Sequence, residues 1–158
     1  MTVTATLGPT IPQDGGYALI VHGGAGNLAG EPLDAQIAGC HTAAERAKQI
    51  LDQGGSALDA VQAAVLVLED DPRFNAATGG ALTCDGTLEL DGAIMGGSAR
   101  RAGAVCGRRP FKNPIAIARA ALEDGKHVLY CGAGAAEFAR RKGFVPVEPE
   151  TMITDEAR

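Results

Sequence analysis

Residues 54–83, GGSALDAVQAAVLVLEDDPRFNAATGGALT, decide how the rest of the chain is read. Ser56 followed three residues later by Asp59 forms a short capping box, which predicts a helix starting at residue 57. Ala57-Leu58, Ala60-Val61 and Ala63 to Leu68 leave little polar surface, so this helix is expected to be buried between layers. Asp70-Asp71-Pro72 stops it, because a residue before proline disfavours helical geometry. Around the stop, Leu68-Glu69-Asp70-Asp71-Pro72-Arg73-Phe74-Asn75 crowds acidic side chains, a proline and a polar amide where a helix ends with carbonyls lacking intrahelical partners. Such a set suits either a hard cation that prefers oxygen ligands or a solvated acidic helix terminus.

Upstream, Tyr17 to Val21 reads as a short apolar strand ending in the turn His22-Gly23-Gly24-Ala25-Gly26. Leu33, Ile37, Cys40, Ala44, Ala47 and Leu51 recur at steps of four and three, the mark of one helical face, and Gly54-Gly55 closes that helix. Downstream, Asp85-Gly86 between two extended runs predicts a hairpin with a primed turn, which needs positive φ at both central residues. A strand over 102–106 follows. Asn113-Pro114 opens a third helix in the order cap then first-turn proline, and Gly125 closes it. A strand over 127–131, a helix over 133–142 and an extended piece over 144–147 complete the series.

Composition narrows the function. Glycine supplies 22 of 158 residues and aromatics only 4%, so the core is built of small side chains and much of the chemistry rests on backbone. A net charge of −5 argues against nucleic acid as a partner. The basic residues Arg100, Arg101, Arg108, Arg109 and Lys112 read as solvated strand ends. No apolar run is long enough to span a membrane, and the start of the chain has no signal-peptide pattern, so a soluble, cytoplasmic protein is expected. Cys40, Cys84, Cys106 and Cys131 lack metal-site spacing and read as buried reduced thiols. His22 reads as hydrogen-bonded to its own glycine turn, His41 as a surface residue of its helix, and His127 as a partly buried strand residue.

Gly24-Ala25-Gly26-Asn27-Leu28-Ala29 satisfies a relaxed dinucleotide fingerprint, which keeps open a self-contained small-molecule or nucleotide-binding α/β module. The context opposes it, since Gly30 and Pro32 interrupt where a helix should start and two helices then run in succession.

Taken together, VHGGAG at 21–26, GGSALDAV at 54–61, LEDDPRFNAATGGALT at 68–83, ELDGAIMGG at 89–97, AGAV at 102–105 and NPIAIAR at 113–119 resemble, in order, landmarks of the plant-type L-asparaginases. These are also called isoaspartyl peptidases and are N-terminal nucleophile hydrolases. The resemblance implies an α+β fold, a four-layer αββα sandwich of which this chain supplies part. It implies a lead-in over 1–16, an alpha-subunit part over 17–147 and a polar tail over 148–158 leading toward an autocleavage linker. The partner would be a beta subunit from the same precursor, in an (alpha-beta)2 heterotetramer acting on a small-molecule substrate, and the nucleophilic threonine would open that second subunit. Asn75 corresponds to an asparagine beside the nucleophile, and Gly23 and Gly24 to a loop needed for self-cleavage. The backbone carbonyls of Leu68, Glu69, Asp71, Phe74, Ala76 and Thr78 correspond to a structural sodium site. No cofactor for the chemistry is implied.

Overall fold

A computed structural model of the chain describes residues 4–7, 16–25, 33–108 and 111–158. The glycine motif from Gly26 to Ala29, most of the 1–16 lead-in, Pro32 and Arg109 lie outside the described residues. The chain divides into two compact units, 1–68 and 69–158.

In the first unit β1 (Thr4–Leu7) pairs antiparallel with β2 (Leu19–His22), Thr4 opposite His22 and Leu7 opposite Leu19. A strand therefore falls inside the stretch expected to be a lead-in. Helix α1 (Asp34–Asp52) packs on both strands. Its buried face is Gly39, Cys40, Ala43, Ala44 and Ala47, and side chains this small let the helix axis come close to the strands. Tyr17 Oη donates to Asp52 Oδ1 at 2.5 Å, and Lys48 Nζ meets Asp52 Oδ2 at 2.5 Å, fastening the approach to β2 onto the last turn of α1. Both partners hold the Asp52 carboxyl below its ordinary range, Lys48 most strongly.

Helix α2 (Ala57–Asp70) starts as the sequence predicts. Ser56 Oγ accepts from Asp59 N at 3.2 Å while Asp59 Oδ2 accepts from Ser56 N at 3.3 Å. Its burial is narrower than expected. Ala60, Ala64 and Leu68 form a buried row at steps of four, with Glu69 beside its end, whereas Val61 is 39% exposed. The helix is covered along one stripe rather than between two layers.

The second unit holds a sheet ordered β3-β4-β5. Strand β3 (Leu90–Gly96) runs antiparallel to β4 (Arg101–Arg108), with Gly92 opposite Val105, Gly96 opposite Arg101 and an irregularity between Leu90 and Gly92. Strand β5 (Leu129–Cys131) is parallel to β4, reached by a crossover through α3 (Pro114–Asp124). Helix α4 (Gly132–Arg141) follows β5 directly. Alternation along the strands puts Gly92, Ile94, Gly103, Val105 and Tyr130 on one face. That face carries both helices: a Cβ on Gly103 would lie 2.2 Å from Leu122 N of α3, and Tyr130 stacks on Phe138 of α4 with centroids 4.1 Å apart. The opposite face carries Ala93, Met95, Ala104, Cys106, Leu129 and Cys131, with Met95 62% and Leu129 51% exposed. The architecture is thus α+β.

Several local expectations are corrected. At the hairpin only Gly86 has positive φ (71°), Thr83 N donates to Thr87 O at 2.8 Å, and the pairing reduces to one bridge between Leu82 and Leu88. The loop is Cys84-Asp85-Gly86, a three-residue connection with a left-handed glycine, which replaces the primed two-residue turn. Asn113 precedes α3 but makes no side-chain cap. Residues 144–147 form no strand. His127 is exposed, its ring edge-on to Tyr130. Of the cysteines only Cys40 is buried. Cys106 and Cys131 face each other across β4 and β5 as free thiols with sulfurs 3.1 Å apart, and Cys131 pushes the Cys106 thiol up. The exposed sulfurs lie on the sheet face without helices, which the spacing of cysteines in the sequence does not reveal.

Candidate functional site

The loop between α2 and β3 has more internal definition than its composition implies. Pro72–Phe74 forms a 3-10 turn whose cap is Asp71, which accepts from Arg73 N at 3.1 Å. Asp71 also pairs with the guanidinium of Arg73, whose Nε donates to Oδ1 at 2.8 Å, and this bond holds the Asp71 carboxyl below its ordinary range. Asn75 follows at φ 44°, left-handed and exposed. Asparagine tolerates that conformation better than most non-glycine residues, so the side-chain amide is presented outward from a tight turn. Gly79 (φ 75°) could not carry a side chain, since its Cβ would stand 2.6 Å from Pro72 O.

Both ends of the loop are anchored. Glu69 O accepts from Thr78 N at 3.0 Å, closing the loop on itself. Gly79 N donates to Met152 O at 2.7 Å, and Met152 is buried with Ala77, Leu88 and Leu90. The segment read as a polar tail therefore folds back beneath the loop. Asp70 Oδ1 accepts from Lys112 Nζ at 2.8 Å and from Asn113 Nδ2 at 3.0 Å. Desolvation works against the charge on Asp70, and these two bonds outweigh it, leaving the carboxyl below its ordinary range. Glu69 turns its carboxylate inward, and Oε1 accepts from Ile115 N at 2.8 Å, the first turn of α3.

The Glu69 contact was hidden from sequence reasoning. The only hint is that Asn113-Pro114-Ile115 opens a helix whose first amides need an acceptor, while nothing in the sequence says that the acceptor stands 46 residues earlier. Met152 gave no signal beyond being apolar in a polar stretch.

The sequence-derived residues fall on two sites. Glu69, Asp71, Phe74, Asn75, Ala76 and Thr78 share the loop, Leu68 is the last residue of the first unit, and Gly23 and Gly24 end β2. Gly24 has φ 111° with open space where a Cβ would go, and its N–H donates to His22 Nδ1 at 3.1 Å. The histidine is thus bonded to its own turn, as the sequence reading has it, and an accepting Nδ1 leaves any ring proton of a neutral imidazole on Nε2. His41 is an exposed residue of α1.

A cation at the loop would be held by neutral carbonyl oxygens, the donor type a hard monovalent ion accepts. Glu69 O and Asp71 O each receive one backbone N–H, from Thr78 and from Phe74, and a carbonyl retains a second lone pair. Pro72 brings no N–H to the carbonyl four residues earlier, that of Leu68. By donor type these carbonyls suit such an ion. Among the described residues no group of three or more His, Cys, Asp or Glu side chains could hold a metal, and no helix is long and apolar enough to cross a membrane.

Comparison with known proteins places this chain in a family. A family model described as asparaginase matches residues 15–158. The chain is 50% identical over 135 residues to the plant-type L-asparaginase of Pyrococcus furiosus, covering 85% of this chain and 44% of that protein. It is 41% identical over 140 residues to the isoaspartyl peptidase/L-asparaginase of Danio rerio, covering 89% and 45%. It is 39% identical over 153 residues to the probable isoaspartyl peptidase/L-asparaginase 2 of Arabidopsis thaliana, covering 90% and 45%. The chain spans a little under half the length of these relatives, and the loop of residues 69–80 lies inside the matched region, so the chain belongs to the asparaginase family.

Proposed function

We propose that this chain is the alpha part of an amidohydrolase that releases L-aspartate from L-asparagine and from beta-aspartyl dipeptides. The observation that carries this reading is the family match across residues 15–158, supported by a relative named for L-asparaginase and another named for both activities. The nucleophile is a threonine at the start of a beta subunit cut from the same precursor, its own amine acting as base. Its hydroxyl oxygen bonds to the side-chain carbonyl carbon of the substrate, and the oxyanion is held by hydrogen-bond donors. The carbonyl re-forms as ammonia or the dipeptide's amine leaves with a proton. Water then cleaves the ester, freeing aspartate and restoring threonine.

This chain's residues act around that step. Asn75, exposed on a loop anchored at both ends, lends its amide beside the threonine. Gly23 and Gly24 give the peptide freedom that self-cleavage needs, which the positive φ of Gly24 supports. The carbonyls of Leu68, Glu69, Asp71, Phe74, Ala76 and Thr78 would hold a sodium ion, which would supply neutralising charge to the loop. The sheet face of Met95 and Leu129 supports a second sheet from the beta subunit, which makes the αββα sandwich and leads to an (alpha-beta)2 assembly.

The test is direct. The full-length protein should split into two chains, the second beginning with threonine, and release aspartate from L-asparagine or a beta-aspartyl dipeptide. An uncut protein that releases no aspartate from either overturns the reading.

A further inference from the structure

We infer that Glu69 is the positioning residue of the Asn75 loop, a role that rests on the hydrolase reading above. Among the described residues Glu69 is the only buried charged side chain, 2% exposed. A carboxylate is costly to bury, and this one is placed where burial is compensated. Its Oε1 accepts from Ile115 N at 2.8 Å at the start of α3, where backbone amides point outward and the helix dipole favours negative charge.

The same residue holds the loop by its backbone. Glu69 O accepts from Thr78 N at 3.0 Å, and Asn75 lies between those two residues. The far side of the clamp is rigid as well, because Pro114 presses on β3 so closely that a Cβ on Gly92 would meet the Pro114 carbonyl carbon at 2.8 Å. A continuous path therefore runs from β3 through Pro114 and Ile115 to the Glu69 carboxylate, and through the Glu69 carbonyl to Thr78. Asp70 adds a more exposed clip to Lys112 and Asn113. Glu69 fixes where the loop starts on α3 and hence where the Asn75 amide points. Small displacements of a group beside reacting atoms cost rate more than binding.

The experiment compares Glu69→Gln, Glu69→Asp and Glu69→Ala in the full-length protein by hydrogen exchange of residues 71–80 and 114–117 and by kcat and KM for L-asparagine. Glu69→Ala should speed exchange in both segments about tenfold and lower kcat about tenfold, with KM within about twofold. Glu69→Gln, which keeps an acceptor at the same reach, should recover most of both. Glu69→Asp, one methylene shorter, should behave like Glu69→Ala and serves if the alanine variant does not fold. Unchanged exchange in 71–80 for Glu69→Asp, or a glutamine variant no better than the aspartate one, overturns the role. If the unaltered protein hydrolyses nothing, the hydrolase reading fails while the exchange comparison still decides whether Glu69 holds the loop.

Discussion

Asp71 shows how much a single side chain determines in this loop. It caps the 3-10 turn through Arg73 N and pairs with the Arg73 guanidinium, and that pairing holds its carboxyl below the ordinary range despite partial burial. Because the folded pKa is depressed, the stabilisation is present above the unfolded carboxylate value near about 4 and is lost as pH falls through the lower folded value. Arg73 is 45% exposed, so solvent screening keeps the pair's contribution small. Asp71→Asn should therefore lower the thermal midpoint slightly at pH 7, and the gap to the unaltered protein should close as the pH falls below the ordinary carboxylate range. Thermal melts of both proteins across that range check it, and a gap that stays constant would mean that the charge contributes nothing to the loop.

At the scale of elements, the helices were the most legible part of the sequence, because their signals are local. Ser56 and Asp59 cap α2, and Gly125 closes α3 in the left-handed conformation at φ 68°. Contacts made at long range were not legible. The Glu69 bond to Ile115, the parallel pairing of β4 with β5 and the fold-back of Met152 each join distant segments, and periodicity carries no information about partners that far apart. The same holds for close packing: AGAV at 102–105 looks like any small-residue strand, yet Gly103 is where α3 rests. Its Cβ would meet Leu122 N at 2.2 Å and Ala118 O at 2.3 Å, backbone atoms that cannot rotate aside. Gly103→Ala should push α3 off β4 and cost about 1–3 kcal/mol. Gly134, in α4, has nothing within 4 Å of its Cβ position, so Gly134→Ala should gain up to about 1 kcal/mol in helix propensity. Urea midpoints that move in opposite directions support this seating of α3, and a neutral Gly103→Ala contradicts it.

At the scale of the whole molecule, the sheet of the second unit is finished on one side only. Helices α3 and α4 cover the face of Val105 and Tyr130, while Met95 and Leu129 on the other face are 62% and 51% exposed. A sheet with one uncovered apolar face needs a second layer to bury it, and the relatives are about twice as long as the stretch they share with this chain. This is why the candidate site was only partly legible: the loop and its anchors lie in these residues, whereas on the proposed reading the nucleophile lies outside them. A charge placed on the bare face tests the arrangement. Leu129→Asp in the full-length protein should abolish the compact assembly and aspartate release, because an unpaired carboxylate buried between sheets costs several kcal/mol. Val145→Asp is the control, since Val145 is 78% exposed and lies outside the sheet, and it should leave both unchanged. Sedimentation and aspartate release read the two variants side by side. A Leu129→Asp protein that assembles and works like the unaltered one would show that water, and no second sheet, covers that face.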